Sequence, residues 1–358
     1  MLVLLWEKVL DCGRMPWWWF VVIGGAFVAA VIATDVVRGL ALRFGIIDAP
    51  DGGRKIHNRV TPLLGGVGVY LGFAVPTVVV LLATNHLTSG DIGIREFIGF
   101  LVGGLVLVVG GSLDDKFTLH PRVTFAFPLV AVAVATVAGI GISKLTNPFS
   151  VDPFVLTAGV SAAFTFVWLL VTTYTTKLLD GVDGVATGVT AIGCVIVSLL
   201  SLTPTYWQPD VALLAAVGAA SCVGFLLWNA PPARIFLGEG GSTFLGFMLG
   251  TLAVISGGKV ATALLVLGIP ALDVAFVVVR RLSQGKNPFT SSDRQHLHLQ
   301  LRDRGFTSGQ ILVMYMMVAA LFGATTLIFA SWQKIAALAT LGLFALAVAV
   351  WLTRSPKS

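Results

Sequence analysis

The chain has 358 residues, of which 56% are hydrophobic and only 11% charged, and its mean hydropathy is +0.93. This balance excludes a water-soluble globule and identifies a polytopic, all-α membrane protein. The net charge of +6 would suggest a nucleic-acid partner in a soluble protein, but here it is concentrated in one set of loops and no nucleic acid is expected.

A membrane helix needs about 20 predominantly apolar residues, and the chain offers about eleven such runs. They lie at 17–37, 64–84, 97–113, 125–142, 154–174, 184–202, 211–228, 242–256, 260–279, 311–330 and 335–352. Residues 1–16 read as a short amphipathic lead-in, because Glu7 and Asp11 are present and the basic start of a signal peptide is missing. Residues 17–352 read as one integral membrane domain, and 353–358 as a tail. With the N-terminus outside, 17 of the 23 basic residues fall on inner loops, leaving Lys8, Arg14, Arg95, Lys144, Lys259 and Lys334 on the outer side. That asymmetry sets the N-terminus out and the C-terminus in. Cys12, Cys194 and Cys222 are odd in number and carry neither a disulfide framework nor zinc spacing.

The outer loops are short and hold no dense cluster of ionisable groups, so the chemistry is expected on the inner face. The first inner loop, from Gly45 to Gly66, gathers Arg54, Lys55, His57 and Arg59. Each cation gains about 1 kcal/mol beside an anionic leaflet, so the cluster is either a topology signal or a receiver of a lipid or nucleotide phosphate. The second inner loop places Asp114, Asp115 and Lys116 after two glycines and a serine, with His120 and Arg122 further on. Adjacent carboxylates repel unless a cation stands by, and at a membrane face they suit metal binding or general-base work.

The third stretch, Leu178 to Thr187, reads LLDGVDGVAT. At helical spacing its aspartates, Asp180 and Asp183, share a face, and Gly181 and Gly184 leave space for a close approach. Carboxylates next to hydrocarbon cost about 2.5–3.5 kcal/mol each at a helix centre. A divalent cation carrying phosphates would compensate them; the alternative is a loop that merely separates two membrane helices. The fourth loop, NAPPARIFLGEGGSTFLG from Asn229 to Gly246, adds Glu239 among glycines that either suit an anionic ligand at the start of the following helix or simply form a turn, the reading the glycines alone support. Asp273 lies inside an apolar run three residues after Pro270, and serves either a function or the backbone groups freed by that proline. The last inner loop, Arg280 to Gln310, carries Arg294, His296 and His298. Two histidines without cysteines are a weak zinc signal, and phosphate or sugar contact suits them better.

Five ordered motifs on one face resemble the polyprenyl-phosphate N-acetylhexosamine-1-phosphate transferases. They are RKIH before Pro-x-x-Gly-Gly, LDDKF at Leu113–Phe117, LLDGVDG, PPARIFLGEGGS, and the RR-x4-K-x-PF…D-x-x-HLH that ends at His298. The resemblance covers Gly45 to Gln310 and is closer to the undecaprenyl-phosphate N-acetylglucosaminyl 1-phosphate transferase branch than to the muropeptide-transferring one. It implies transfer of a sugar 1-phosphate, as N-acetylhexosamine 1-phosphate, from a UDP-sugar to polyprenyl (undecaprenyl) phosphate at the cytoplasmic face of the inner membrane. UMP leaves, and a lipid-linked envelope glycan begins. By the same resemblance, Asp114 and Asp115 handle the lipid phosphate and its proton, while Asp180, Asp183 and Glu239 hold Mg²⁺ (or Mn²⁺) and the diphosphate. Lys116, Arg122, Lys177, Arg54, Lys55 and His57 supply positive field, and Arg294, His296 and His298 contact sugar or phosphate. Partners are then polyprenyl phosphate, a UDP-N-acetylhexosamine and membrane lipids; a homodimer is an assembly the sequence leaves open.

Three positions depart from that family pattern. Lys177 stands where asparagine is usual, Glu239 where aspartate is usual, and Leu299 where a further histidine is common. The first two are positions that the pattern associates with Mg²⁺. Either Glu239 and the aspartates hold the metal alone, or Lys177 supplies the charge itself, or the activity is altered or lost. A transporter predicts inverted repeats, and none is found. The CDP-alcohol phosphatidyltransferase pattern, Asp-Gly-x-x-Ala-Arg, is broken after Asp183-Gly184 by Val185, Ala186 and Thr187.

Overall fold

The computed structural model describes residues 16–49, 60–90, 92–145, 153–257, 260–268, 272, 285, 297–329 and 331–354. Twelve helices are described: α1 (Trp18–Arg43), α2 (Gly65–Ala83), α3 (Ile94–Phe117), α4 (Pro121–Val137), α5 (Ala158–Leu179), α6 (Val185–Ser201), α7 (Pro209–Asn229), α8 (Gly238–Ile255), α9 (Val260–Val266), α10 (Leu297–Asp303), α11 (Ser308–Ile328) and α12 (Ser331–Arg354). Two short antiparallel ribbons accompany them, β1 (Ile47–Asp48) with β2 (Thr61–Pro62), and β3 (Lys144–Leu145) with β4 (Phe154–Val155). Each apolar run marked in the sequence falls on a helix. Seven described helices are long and apolar enough to cross a membrane, and α4 and α6 are shorter apolar ones. The ninth run is met by α9 at its start, and Asp273 lies outside the described residues. The chain is a multi-pass, all-α membrane protein.

Helix α8 is the centre of the bundle: 83% of its membrane-length stretch is buried, against 22% for α1 at the periphery. It packs on α2, α3, α5 and α6. On one side, Phe244 and Phe247 meet Tyr70, Phe73 and Phe100, with ring centroids 5.3–6.1 Å apart. On another, Gly246 and Gly250, one turn apart, receive Thr172, Thr173 and Thr176 of α5, and a methyl on Gly246 would lie 2.0 Å from the Thr176 hydroxyl oxygen. Small residues at this spacing let two helices approach closely in a membrane. Trp168 fastens the pair by donating to the Gly250 carbonyl at 3.1 Å.

The glycines before and within the first turn of α8 have a different role from the one their sequence suggested. Gly240 lies against the backbone of α3 at Val108 and Gly111, and Gly241 against Gly66 of α2. The Gly65 and Gly66 N–H groups donate to the carbonyls of Phe236 and Leu237 at 3.0 and 2.8 Å. The close approach is therefore helix to helix, and it draws the ends of α2, α3 and α8 together.

Candidate active site

At that end of the bundle, α3 finishes in Leu113–Phe117 and turns through Thr118, whose φ of +49° stops the helix. The half-buried Asp114 closes the turn: its Oδ1 accepts from the Leu119 N–H at 3.0 Å and from the Thr124 hydroxyl at 2.7 Å. Asp115 faces the other way, and its Oδ1 accepts from the Glu239 N–H at 3.1 Å. It thus satisfies one of the backbone donors that the first turn of α8 leaves without a helical partner. Glu239, in that same turn, gains from the helix dipole.

Helix α5 ends beside it. The Lys177 ammonium lies 2.5 Å from Glu239 Oε1 and 5.6 Å from the centre of the Tyr174 ring one turn earlier. Tyr174 is itself stacked on Phe125 of α4. Beyond Lys177 the chain leaves the helix at Asp180 and re-enters one at Val185, after Gly184 with φ +76°. Asp180 and Asp183 therefore occupy a turn, and the shared helical face expected from their spacing does not form. Asp183 Oδ2 accepts from the Ala233 N–H at 3.1 Å, which ties this turn to the loop before α8. The buried Asn229 makes the same connection, accepting from the Thr187 hydroxyl at 3.1 Å and donating to the Ile235 carbonyl at 3.1 Å.

Among the described residues, the Asp180 carboxylate has no hydrogen-bond or ion-pair partner. Its pKa stands well above the ordinary carboxylate range, first because of burial and then because Asp183, Asp115 and Glu239 surround it with negative charge. Among the described residues, four carboxylates thus face one another's fields with a single ammonium, Lys177, paired to one of them. Among the described residues no three His, Cys, Asp or Glu side chains converge as metal ligands. Mg²⁺ does not require such a cage, since it is ordinarily held by one or two carboxylates together with substrate phosphates and water. The unpartnered Asp180, a hard oxygen donor short of positive charge, fits that ion.

His298 of α10 is 2% exposed, and a methyl built on Gly181 would lie 2.2 Å from its Nε2. The imidazole is packed on the aspartate turn from outside the α5–α6 hairpin. Lys116 and Arg122 are exposed; the first sits 5.1 Å over the Phe117 ring, and the second begins α4, where its N–H donates to His120 Nδ1 at 3.3 Å. Arg54, Lys55, His57, Arg294 and His296 lie outside the described residues.

Several contributors were not marked in the sequence. Thr124 and Tyr174 act on Asp114 and Lys177, and the Ala233 N–H acts on Asp183. Arg38 of α1 and Arg234 of the loop both lie over the Trp228 ring, 5.4 and 5.9 Å from its centre. Only Tyr174 carried a local signal, standing one helical turn before Lys177.

Residues 97–257 match the family described as Glycosyl transferase family 4. The chain is 27% identical over 312 residues to a probable undecaprenyl-phosphate N-acetylglucosaminyl 1-phosphate transferase of Bacillus subtilis, covering 86% of this chain and 83% of the relative. It is 30% identical to a decaprenyl-phosphate N-acetylglucosaminephosphotransferase of Mycolicibacterium smegmatis, covering 85% and 80%. To an undecaprenyl-phosphate alpha-N-acetylglucosaminyl 1-phosphate transferase of Escherichia coli it is 28% identical, covering 80% and 77%.

Proposed function

The chain belongs to glycosyl transferase family 4, and on that premise we propose that it transfers N-acetylhexosamine 1-phosphate from a UDP-sugar to polyprenyl phosphate and releases UMP. It is a membrane phosphotransferase acting on a polyprenyl phosphate. The proposal adds the UDP-linked donor, a Mg²⁺ requirement and a site on the cytoplasmic face of the inner membrane. The observation that carries it is the gathering of Asp115, Asp180, Asp183 and Glu239, from three separate segments, at one end of the bundle.

In the reaction a lipid phosphate oxygen attacks the sugar-bearing phosphorus, and the bond from that phosphorus to the bridging oxygen of UMP breaks. Both partners are anions, so repulsion is the main obstacle. The second pKa of a phosphate monoester is about 6, so much of the nucleophile is already dianionic at neutral pH and a strong base is dispensable. A bound Mg²⁺ would neutralise charge on the diphosphate and on the leaving UMP. Asp180 and Asp183 would hold that ion, with Asp183 kept in place by the Ala233 N–H. Lys177 presents a fixed positive charge beside them. Asp115 and Asp114 would meet the lipid phosphate and take up its proton where one remains. His298, braced on Gly181, would keep the turn in register with the donor.

The test is product formation by purified protein in detergent with undecaprenyl phosphate and mixed UDP-N-acetylhexosamines, read by mass spectrometry with Mg²⁺ and with a chelator. A lipid diphosphate sugar formed with Mg²⁺ and lost with chelator is the expected result. Absence of product from every donor overturns the reading, and a product that survives chelation overturns its metal requirement.

A further inference from the structure

We infer that Lys177 withdraws Glu239 from the cation's ligands, so that the divalent ion is held on the Asp180–Asp183 side alone and Lys177 supplies a built-in positive charge on the other. This rests on the proposed function, which assigns a divalent cation to the site.

The ammonium and Oε1 are in direct contact at 2.5 Å, with the side chains only 31% and 17% exposed. Both members are also held from outside the pair. Tyr174, backed by Phe125, lies beneath the ammonium, and Asp115 holds the Glu239 backbone. For Glu239 to ligate an ion it would have to offer Oε2 while the partly buried ammonium on Oε1 repels the incoming cation, or else break the pair. Removing one member of a sheltered ion pair is strongly unfavourable because the other charge is left uncompensated. A protonated lysine cannot ligate a metal. Among the described residues the Asp180 carboxylate, by contrast, has no partner to give up, and Asp183 uses one oxygen on the Ala233 N–H and keeps the other. The charges therefore divide into a compensated half, Lys177 with Glu239, and an uncompensated half, Asp180 with Asp183. The cation belongs to the second.

The experiment is a Mg²⁺ titration of the melting temperature of the full-length protein in detergent, for the wild type, Glu239→Gln, Lys177→Gln, Asp180→Asn and the double variant Lys177→Gln/Glu239→Gln. The double variant should keep the wild-type Mg²⁺ midpoint to within about twofold, whereas Asp180→Asn should raise it about tenfold or more, tenfold being about 1.4 kcal/mol. Glu239→Gln alone strands the ammonium beside the ion and should raise the midpoint through that repulsion, an effect the double variant removes. Lys177→Gln, which frees Glu239 and removes a repelling charge, should lower it by about the same factor. The double variant serves if Lys177→Gln fails to fold, because it strands no charge. A double-variant midpoint raised as far as that of Asp180→Asn overturns the inference while leaving the proposed function intact. A melting temperature indifferent to Mg²⁺ in the wild type and every variant overturns the divalent-cation reading itself, and the inference with it.

Discussion

Asp183 accepts a 3.1 Å hydrogen bond from the backbone N–H of Ala233, so the aspartate turn after α5 and the proline-led loop before α8 are fastened to each other by a carboxylate to which the proposed reaction also assigns a role. The two duties separate by substitution. Asp183→Asn retains an acceptor for Ala233 and should melt close to wild type, yet lose activity by about a hundredfold or more because the charge is gone. Asp183→Ala should lose activity and also about 1.5–3 kcal/mol of stability, the range for a hydrogen bond to a charged group. UMP release and thermal unfolding in detergent, measured on both variants, separate the roles.

The raised pKa of Asp180 has a definite sign in stability. Its folded-state value lies above the unfolded aspartate value of about 3.9, so the folded protein holds this proton more tightly. The resulting stabilisation is full below the unfolded pKa and is lost as pH rises through the folded one. The metal-free protein should therefore melt at falling temperature as pH rises from the unfolded aspartate value through the higher folded one. Mg²⁺ displaces the proton, so its stabilising effect should grow over the same window. Asp180→Asn should flatten both trends in melting curves recorded with Mg²⁺ and with chelator.

A methyl at Gly246 would fall 2.0 Å from Thr176 Oγ1 and 2.2 Å from the Thr172 carbonyl oxygen. Gly246→Ala should push α5 off α8 and cost about 1–3 kcal/mol, as overpacking does. The control is Gly159→Ala, since nothing lies within 4 Å of that position. The control should be neutral or stabilising by up to about 1 kcal/mol from helix propensity. Equal melting temperatures for the two variants would contradict the packing described for α5 and α8.

Thr124 holds Asp114 by a 2.7 Å hydrogen bond from α4. Thr124→Val should cost about 1–2 kcal/mol and loosen the turn that aims the adjacent Asp115. The KM for polyprenyl phosphate should rise while that for the UDP-sugar stays near wild type, because the substituted contact lies on the lipid-phosphate side of the proposed site. Steady-state kinetics with each substrate varied in turn checks the split.

The helices were legible because a membrane span must satisfy its backbone internally and present apolar side chains over its whole length. Every apolar run accordingly meets a helix, with ends displaced where special geometry intervenes. Thr118 in the left-handed region stops α3, and α8 begins at Gly238, four residues before its apolar run. Which residues meet across the bundle was not legible. Lys177 and Glu239 are 62 positions apart, and their contact follows from α5 and α8 meeting at Gly246 and Gly250, which neither residue's neighbourhood announces. A glycine in a sequence is an absence, and the text of the chain does not say what fills it. At Gly240 and Gly241 the filler is the backbone of α3 and α2. The three-residue spacing of Asp180 and Asp183 was read as helical because the sequence does not reveal that Gly184 takes φ +76°.

The meeting of Gly66, Gly111, Gly240 and Gly241 fixes the separation of three helices by main-chain contact alone. Side chains have rotamers and can yield; backbone against backbone has almost no slack. The floor beneath the carboxylates therefore acts as a fixed gauge, and the lining residues can be exchanged without resetting its dimensions. Such a scaffold lets the side chains around the carboxylates vary while the separation of the three helices stays the same.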